Sequence, residues 1–304
     1  MAIASAAHAP GTAPVVPPRS GLRSRTLTPY LLMLPGLLWL GVFFVVPLLT
    51  LLATSTQTPA PSGETGAFQQ TLRFANYWDS LQAYEAQFIR SFGYAAIATV
   101  LALLISYPLA YAIAFKVGAL RNLLLVLVVA PFFCSFLLRT LAWRQILADE
   151  GFVVRTLKSL HLMSDTTTLT ASAVAVVAGI TYNFLPFMTL PLYASLERID
   201  PRLIEAGGDL YAGAFTTFRK VTFPLSMPGV VAGTLLTFIP AAGDYVNAEL
   251  LGNPNTRMIG NVVQSRFFTI VDYPTAAVLS FLLMAAILIL VTFYVRRAGT
   301  EELV

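Results

Sequence analysis

Residues 196–230, LERIDPRLIEAGGDLYAGAFTTFRKVTFPLSMPGV, are the longest polar interruption in an otherwise hydrophobic chain. They carry four acids (Glu197, Asp200, Glu205, Asp209) and four bases (Arg198, Arg202, Arg219, Lys220). The local physics gives two short helices. Asp200 is an N-cap, and Pro201 takes the first helical position, where its missing N–H is not needed. Leu203, Ile204 and Leu210 supply an apolar side. Gly207 and Gly208 weaken the end of this helix by about 1 kcal/mol each relative to alanine. A second turn and helix begin near Gly213, where Phe215, Phe218 and Val221 recur three apart, on one face. Pro224 and Pro228 stop it. The stretch reads as a compact amphipathic knob with charged flanks, shaped for a partner's groove.

The surrounding chain explains what holds such a knob. Of its 304 residues, 57% are hydrophobic and 11% charged, with a mean hydropathy of +0.73. Soluble domains carry roughly 25% charged residues, so this is an integral membrane protein. The net charge of +4 gives no case for a nucleic-acid partner. Six apolar stretches, near 30–53, 91–115, 123–143, 170–194, 228–248 and 276–295, are each long enough to cross roughly 30 Å of hydrocarbon. The fourth and fifth contain Asn183, Pro186, Pro191, Pro240 and Asp244, which are tolerated where helices line a cavity. With the N-terminus inside, cytoplasmic segments hold eleven Lys and Arg, against seven outside. The bias is sharpest at Arg19, Arg23 and Arg25, puts both termini in the cytoplasm and leaves 196–228 there as a loop.

The ends and outer loops carry less. Residues 1–28, rich in Ala, Pro and Ser, read as a disordered cytoplasmic tail before an uncleaved first span, and 298–304 as a short cytoplasmic tail. In loop 54–90, Phe74, Tyr77, Trp78 and Leu81 recur at helical spacing, as for a short helix at the membrane surface. His161, in loop 144–168, has no second histidine or cysteine nearby and is read as a surface residue. Arg139 stands about four residues before the outer end of the third span and is read as snorkelling to the interface, beside Trp143. The single cysteine, Cys134, excludes an intrachain disulfide and reads as a small helix-packing residue.

No nucleotide-binding G-x-x-x-x-G-K-[ST], G-x-S-x-G or H-E-x-x-H motif is present. The chemistry is therefore binding and mechanical coupling. Glu205-Ala206-Gly207, followed by Val221-Thr222-Phe223-Pro224, resembles the EAA loop of bacterial ABC importer permeases. That pattern is EAA, three residues, Gly, nine residues, Ile, any residue, Leu-Pro. Gly207 replaces its second alanine, and Tyr211 stands at its glycine. If that glycine serves a tight turn, the tyrosine has to take another backbone path. The stretches 183–210 and 243–263 are similar to the first permease of putrescine and spermidine uptake systems, and the resemblance runs from about Tyr30 to Arg297.

The resemblance implies a type I ABC importer permease fold with six transmembrane helices, all-α, over residues 29–297. It also implies a second permease subunit, two ATPase subunits holding ATP and Mg, and an extracytoplasmic substrate-binding protein or lipoprotein. This chain itself would need no cofactor or metal. Glu205, Ala206, Gly207, Asp209, Leu210, Ala212, Gly213, Phe215 and Phe218 would form the ATPase-coupling surface. Asp244 and Tyr245, with Tyr182, Asn183 and Phe184 on the fourth span, would line the path of a small cationic solute. Two other roles for Asp244 stay open: pairing with Arg139, or capping a helix broken between Pro240 and Gly243. Solutes such as phosphonate, iron or thiamine stay open too. A stand-alone secondary transporter would show coupling-ion carboxylates and an internal repeat. Asp244 is the only acid well within a span and no repeat is apparent. A non-transport membrane protein would leave the loop spacing unexplained.

Overall fold

The computed structural model describes residues 27–61, 64–161, 164 and 168–298. The expected tails at 1–28 and 298–304 fall almost wholly outside the described residues, as does Ser62. In chain order the helices are α1 (Leu27–Leu40), α2 (Val46–Ser55), α3 (Ala75–Ala83), α4 (Glu85–Phe115), α5 (Arg121–Val129), α6 (Phe136–Ile146), α7 (Phe152–Ser159), α8 (Ala173–Glu197), α9 (Pro201–Asp209), α10 (Ala214–Thr217), α11 (Phe223–Leu225), α12 (Met227–Ala242), α13 (Val246–Leu251), α14 (Ile259–Gln264) and α15 (Tyr273–Ala298). A short antiparallel ribbon, β1 (Gln57–Pro59) with β2 (Phe68–Gln70), lies ahead of α3, in register Gln57↔Gln70. The chain up to Leu51 is one unit, an apolar helix in which a wide turn at Gly41–Val45 joins α1 to α2. Residues from Leu52 onward form the second unit.

Four helices are long and apolar enough to cross a membrane singly: Tyr30–Ser55, Glu85–Phe115, Ala173–Glu197 and Tyr273–Arg297. Two bent helix pairs pass the same test when each is taken together, which gives up to six spans among the described residues. The span read near 123–143 is bent. Residues 118–133 and 136–146 meet at 97°. Pro131 and an extended Cys134 interrupt the helical bonding, and Cys134 is exposed at the elbow, not packed between helices. The fifth span is also shorter than 228–248. It ends at Ala242, and the chain breaks at Gly243 before α13 begins.

Lipid tails are as apolar as leucine, so membrane helices gain little by hiding apolar surface from each other. They associate where small residues allow close packing and where polar side chains bond across. The bundle of α4, α8 and α12 is built this way. Along α4, Ala95, Ala98, Ala102, Ser106 and Ala110 are fully buried at three- and four-residue spacing. The Thr189 hydroxyl on α8 donates to Ser106 Oγ at 2.8 Å, and Ser106 donates to the Leu185 carbonyl at 3.3 Å. On α12 the sequence Gly229-Val-Val-Ala-Gly233 turns both glycines onto α8. A Cβ at Gly229 would lie 2.5 Å from Ser195 Cβ and 2.7 Å from the Pro191 carbonyl oxygen. One at Gly233 would lie 2.8 Å from Met188 Sδ and 3.1 Å from the Met188 carbonyl oxygen.

Gly233→Leu is therefore expected to push α12 off α8, at a cost of about 1–3 kcal/mol for overpacking. Thermal melting of the purified chain and its yield from membranes should both fall. Gly36→Leu, at a position where an added Cβ meets nothing within 4 Å, should leave both unchanged.

Candidate functional site

The knob forms as its sequence dictates at both helix starts. The Asp200 side chain accepts from the Arg202 backbone N–H at 3.0 Å, with Pro201 next to the cap. Gly213 is extended before α10. The end of α9 was not foreseen. Ala212 N–H donates to the Gly207 carbonyl at 3.0 Å and Tyr211 N–H to the Gly208 carbonyl at 2.9 Å. Together these are the paired bonds of a Schellman motif, whose C′ residue takes a left-handed conformation and is usually glycine. Here that residue is Tyr211, at φ +56°. The tyrosine thus keeps the turn that a glycine would make, and no other backbone path is taken. Gly207 has its own reason. A Cβ there would lie 2.9 Å from both Thr217 Oγ1 and Thr217 Cγ2, so the missing methyl lets α9 close on α10.

The apolar residues of the knob split in two. Leu210 (80% exposed), Tyr211 (99%) and Phe215 (74%) project outward, and Glu205, Ala206, Asp209 and Gly213 are exposed around them. Glu205 has no ion-pair partner among the described residues. Ala212 and Gly207 are half-buried. Phe218 does not share the face of Phe215, because a wide turn over Phe218–Thr222 rotates it inward. Its ring packs edge-on against Tyr107 of α4 at 5.5 Å, and Tyr107 also bonds Ser226 through their hydroxyls at 2.7 Å. Phe218 is thus an anchor of the knob on the bundle. From α11 the chain turns 65° into α12. At the other flank Glu197 pairs with Arg121, whose guanidinium lies 5.1 Å from the Tyr193 ring centre.

The second group of expected site residues surrounds the break after α12. Asp244 is buried, and both its oxygens are taken within the chain. Oδ1 accepts from Asn247 N–H at 3.0 Å, and Oδ2 accepts from the Asn247 side-chain amide. It makes no ion pair with Arg139 among the described residues. Of the roles left open by the sequence, this arrangement is the cap of the broken helix. Asn247 in turn accepts from Asn183 Nδ2 at 3.0 Å, and Asn183 also donates to Thr140 Oγ1 at 3.2 Å. Asn183 and Asp244 therefore belong to one buried chain of polar groups linking α6, α8 and α13. Phe184 and Tyr182 do not join it: Phe184 packs on Phe136 at 6.2 Å and Tyr182 on Trp143 at 5.3 Å. Tyr245 is exposed beside Glu249, and Asn261 Nδ2 donates to the Tyr245 carbonyl (2.9 Å) and to Glu249 Oε2 (3.0 Å).

Sequence reasoning missed Asn247, Thr140, Glu249 and Asn261. The spacing Asp244-x-x-Asn247 after a helix-ending glycine is the capping signal that could have found the first. Arg139 is placed differently from its sequence reading. Its guanidinium lies over Phe132 (5.5 Å) and Phe136 (5.6 Å), toward the elbow and away from the C-terminal end of α6.

An apolar bundle with broken helices and an exposed amphipathic knob defines a multi-pass membrane transport subunit. Its backbone matches a chain of the crystal structure of a bacterial ABC transporter involved in the import of the acidic polysaccharide alginate. The TM-score is 0.69 at 18% identity, covering 90% of this chain and 96% of that one. This is the type I ABC importer permease fold. Residues 107–298 match the family described as binding-protein-dependent transport system inner membrane component, and the chain belongs to that family of inner-membrane proteins. It is 36% identical over 259 residues to the spermidine/putrescine transport system permease protein PotB of Haemophilus influenzae, covering 85% of this chain and 90% of that protein. The PotB of Escherichia coli is 32% identical, over 86% and 94% of the two chains. The inner membrane ABC transporter permease protein YdcU of the same organism is 31% identical, over 90% of each.

The left-handed Tyr211 gives a direct test. A non-glycine residue in this conformation costs roughly 1–2 kcal/mol. Tyr211→Gly is expected to raise the melting temperature of the purified chain, while Tyr211→Val, a branched residue in the same turn, should lower it.

Proposed function

We propose that this chain is the transmembrane permease subunit of an ATP-driven importer of polyamines, putrescine or spermidine, forming half of their path across the membrane. The observation that carries the solute is the 36% identity to a spermidine/putrescine permease along nearly the whole length of both proteins. The absence of a phosphate-binding loop in the sequence supports a chain that hydrolyses no ATP itself. Its partners are a second permease, two ATPases holding ATP and Mg, and an extracytoplasmic binding protein. An alginate ABC transporter with this fold crystallised with its periplasmic protein, which supports the last of these.

The knob is the coupling surface in this reading. Leu210, Tyr211 and Phe215 fill a cleft on the ATPase and Glu205 meets a basic residue there. Phe218 and Tyr107 carry the movement into α4. On the solute path, the buried Asp244 and the exposed Glu249 beside Tyr245 supply negative charge and an aromatic face to an ammonium group. Asparagine caps a helix as well as aspartate does, so Asp244→Asn removes the charge and keeps the bond to the Asn247 backbone N–H, giving up only the one to the Asn247 side-chain amide. In the reconstituted complex it should weaken uptake of labelled spermidine several-fold, with assembly and basal ATP hydrolysis retained. Glu205→Lys should abolish uptake although the chain still reaches the membrane. Normal spermidine uptake by both variants, or uptake of a different solute by the native complex, would overturn the reading.

Both termini and the knob lie in the cytoplasm in this proposal. Thr217 is buried against α9, so Tyr211 is the better probe of that side, with Gln69 for the other. In a Cys134→Ala background, Gln69→Cys should react with an impermeant thiol reagent in intact cells and Tyr211→Cys should react only after lysis. The reverse pattern would invert the topology.

A further inference from the structure

Among the described residues, Arg139 is a cation without a counter-charge. Its Nε and Nη1 are buried and have no hydrogen-bond partner, and no carboxylate lies within ion-pair distance among the described residues. The rings of Phe132 and Phe136 face the guanidinium. They stabilise positive charge but offer its N–H groups no acceptor of ordinary strength. Its depth follows from its neighbours. Thr140, one residue on, is bonded to Asn183 near the middle of α8, and Phe132 packs on Phe187 at 5.0 Å. The guanidinium therefore sits about midway along the bundle, where an unpaired charge is costly and lipid phosphates are out of reach.

The other described residues offer no remedy. Asp244 is bonded to Asn247 and forms no ion pair with Arg139. Residues 30–55 contain no acidic side chain. A cationic solute would be repelled. Around Arg139 the outward side chains of the elbow are large and apolar, with Phe133 88% exposed and Leu137, Leu138 and Leu141 exposed as well. We propose that the elbow between α5 and α6 is a seat of the second permease subunit, and that a carboxylate of that subunit pairs with Arg139 inside the membrane. This rests on the reading of the chain as one of two permeases. It accounts for a charge retained where the single chain gains nothing from it.

The chain and its complex then respond in opposite directions. Replacing a buried, unpaired charge by an apolar residue of similar volume is neutral or stabilising, whereas removing one partner of a buried pair is strongly destabilising. Arg139→Met should leave the melting temperature of the purified single chain unchanged or raised. The second permease recovered with an affinity-tagged chain should fall at least tenfold, and Arg139→Lys should restore part of it. Three results would overturn the proposal: full recovery of the second permease with Arg139→Met, a lowered melting temperature of the single chain, or faster cation uptake with assembly intact. The last would place Arg139 on the solute path as a barrier. If the native chain recovers no second permease at all, the two-permease reading itself fails, which the native control shows before any variant is tested.

Discussion

The close approach of α4, α8 and α12 is the constraint from which the rest follows. In hydrocarbon, contact between helices has to be gained through packing and polar bonds, and side chains that stand the backbones apart forfeit both. The alanines of α4 and the two glycines of α12 remove that obstacle on successive faces. Once the backbones are close, Thr189 reaches Ser106 and Ser106 reaches the Leu185 carbonyl. The polar groups are thus consequences of the small ones. They fix depth and rotation of helices that apolar contact alone would let slide.

The same bundle holds the knob. Tyr107 and Ser226 join α4 to the start of α12, and the Tyr107 ring receives Phe218. The inward half of the knob is therefore packed on the helix bundle, and its outward half is left with exposed leucine, tyrosine and phenylalanine. Tyr211 shows how local rules yield to tertiary ones. The Schellman bonds and the contact of Gly207 with Thr217 settle the path of the loop, and a residue unsuited to φ > 0 is carried along.

Much of this was legible in the sequence. Composition and length exposed the membrane class, Asp200-Pro201 marked the start of α9, and Gly243 marked the break of the fifth helix. The bend in the third span was not legible because 123–143 is apolar almost throughout, and hydropathy reports the length of such a run but not a 97° turn within it. Pro131 was the available clue. Gly229-x-x-x-Gly233 was visible but unused, since a small-residue pair acquires meaning only once a facing helix is known. The capping of Asp244 needed the position of Asn247 after the break. Arg139 was misplaced because its depth depends on where α6 packs, not on its distance from a helix end.

The break after α12 has an electrostatic consequence. A helix of 16 residues ending at Ala242 presents a partial charge of about −0.5 at its C-terminus. Just beyond it, the N-terminus of α13 presents the opposite sign, and Asp244 is bonded to that end through Asn247. The carboxylate faces the positive pole, and the negative pole of α12 stands beside it as a second, separate charge. That charge belongs to the backbone. No proton can neutralise it and no single side-chain replacement can remove it, so its share of the field at the break is the same in acid and in alkaline surroundings.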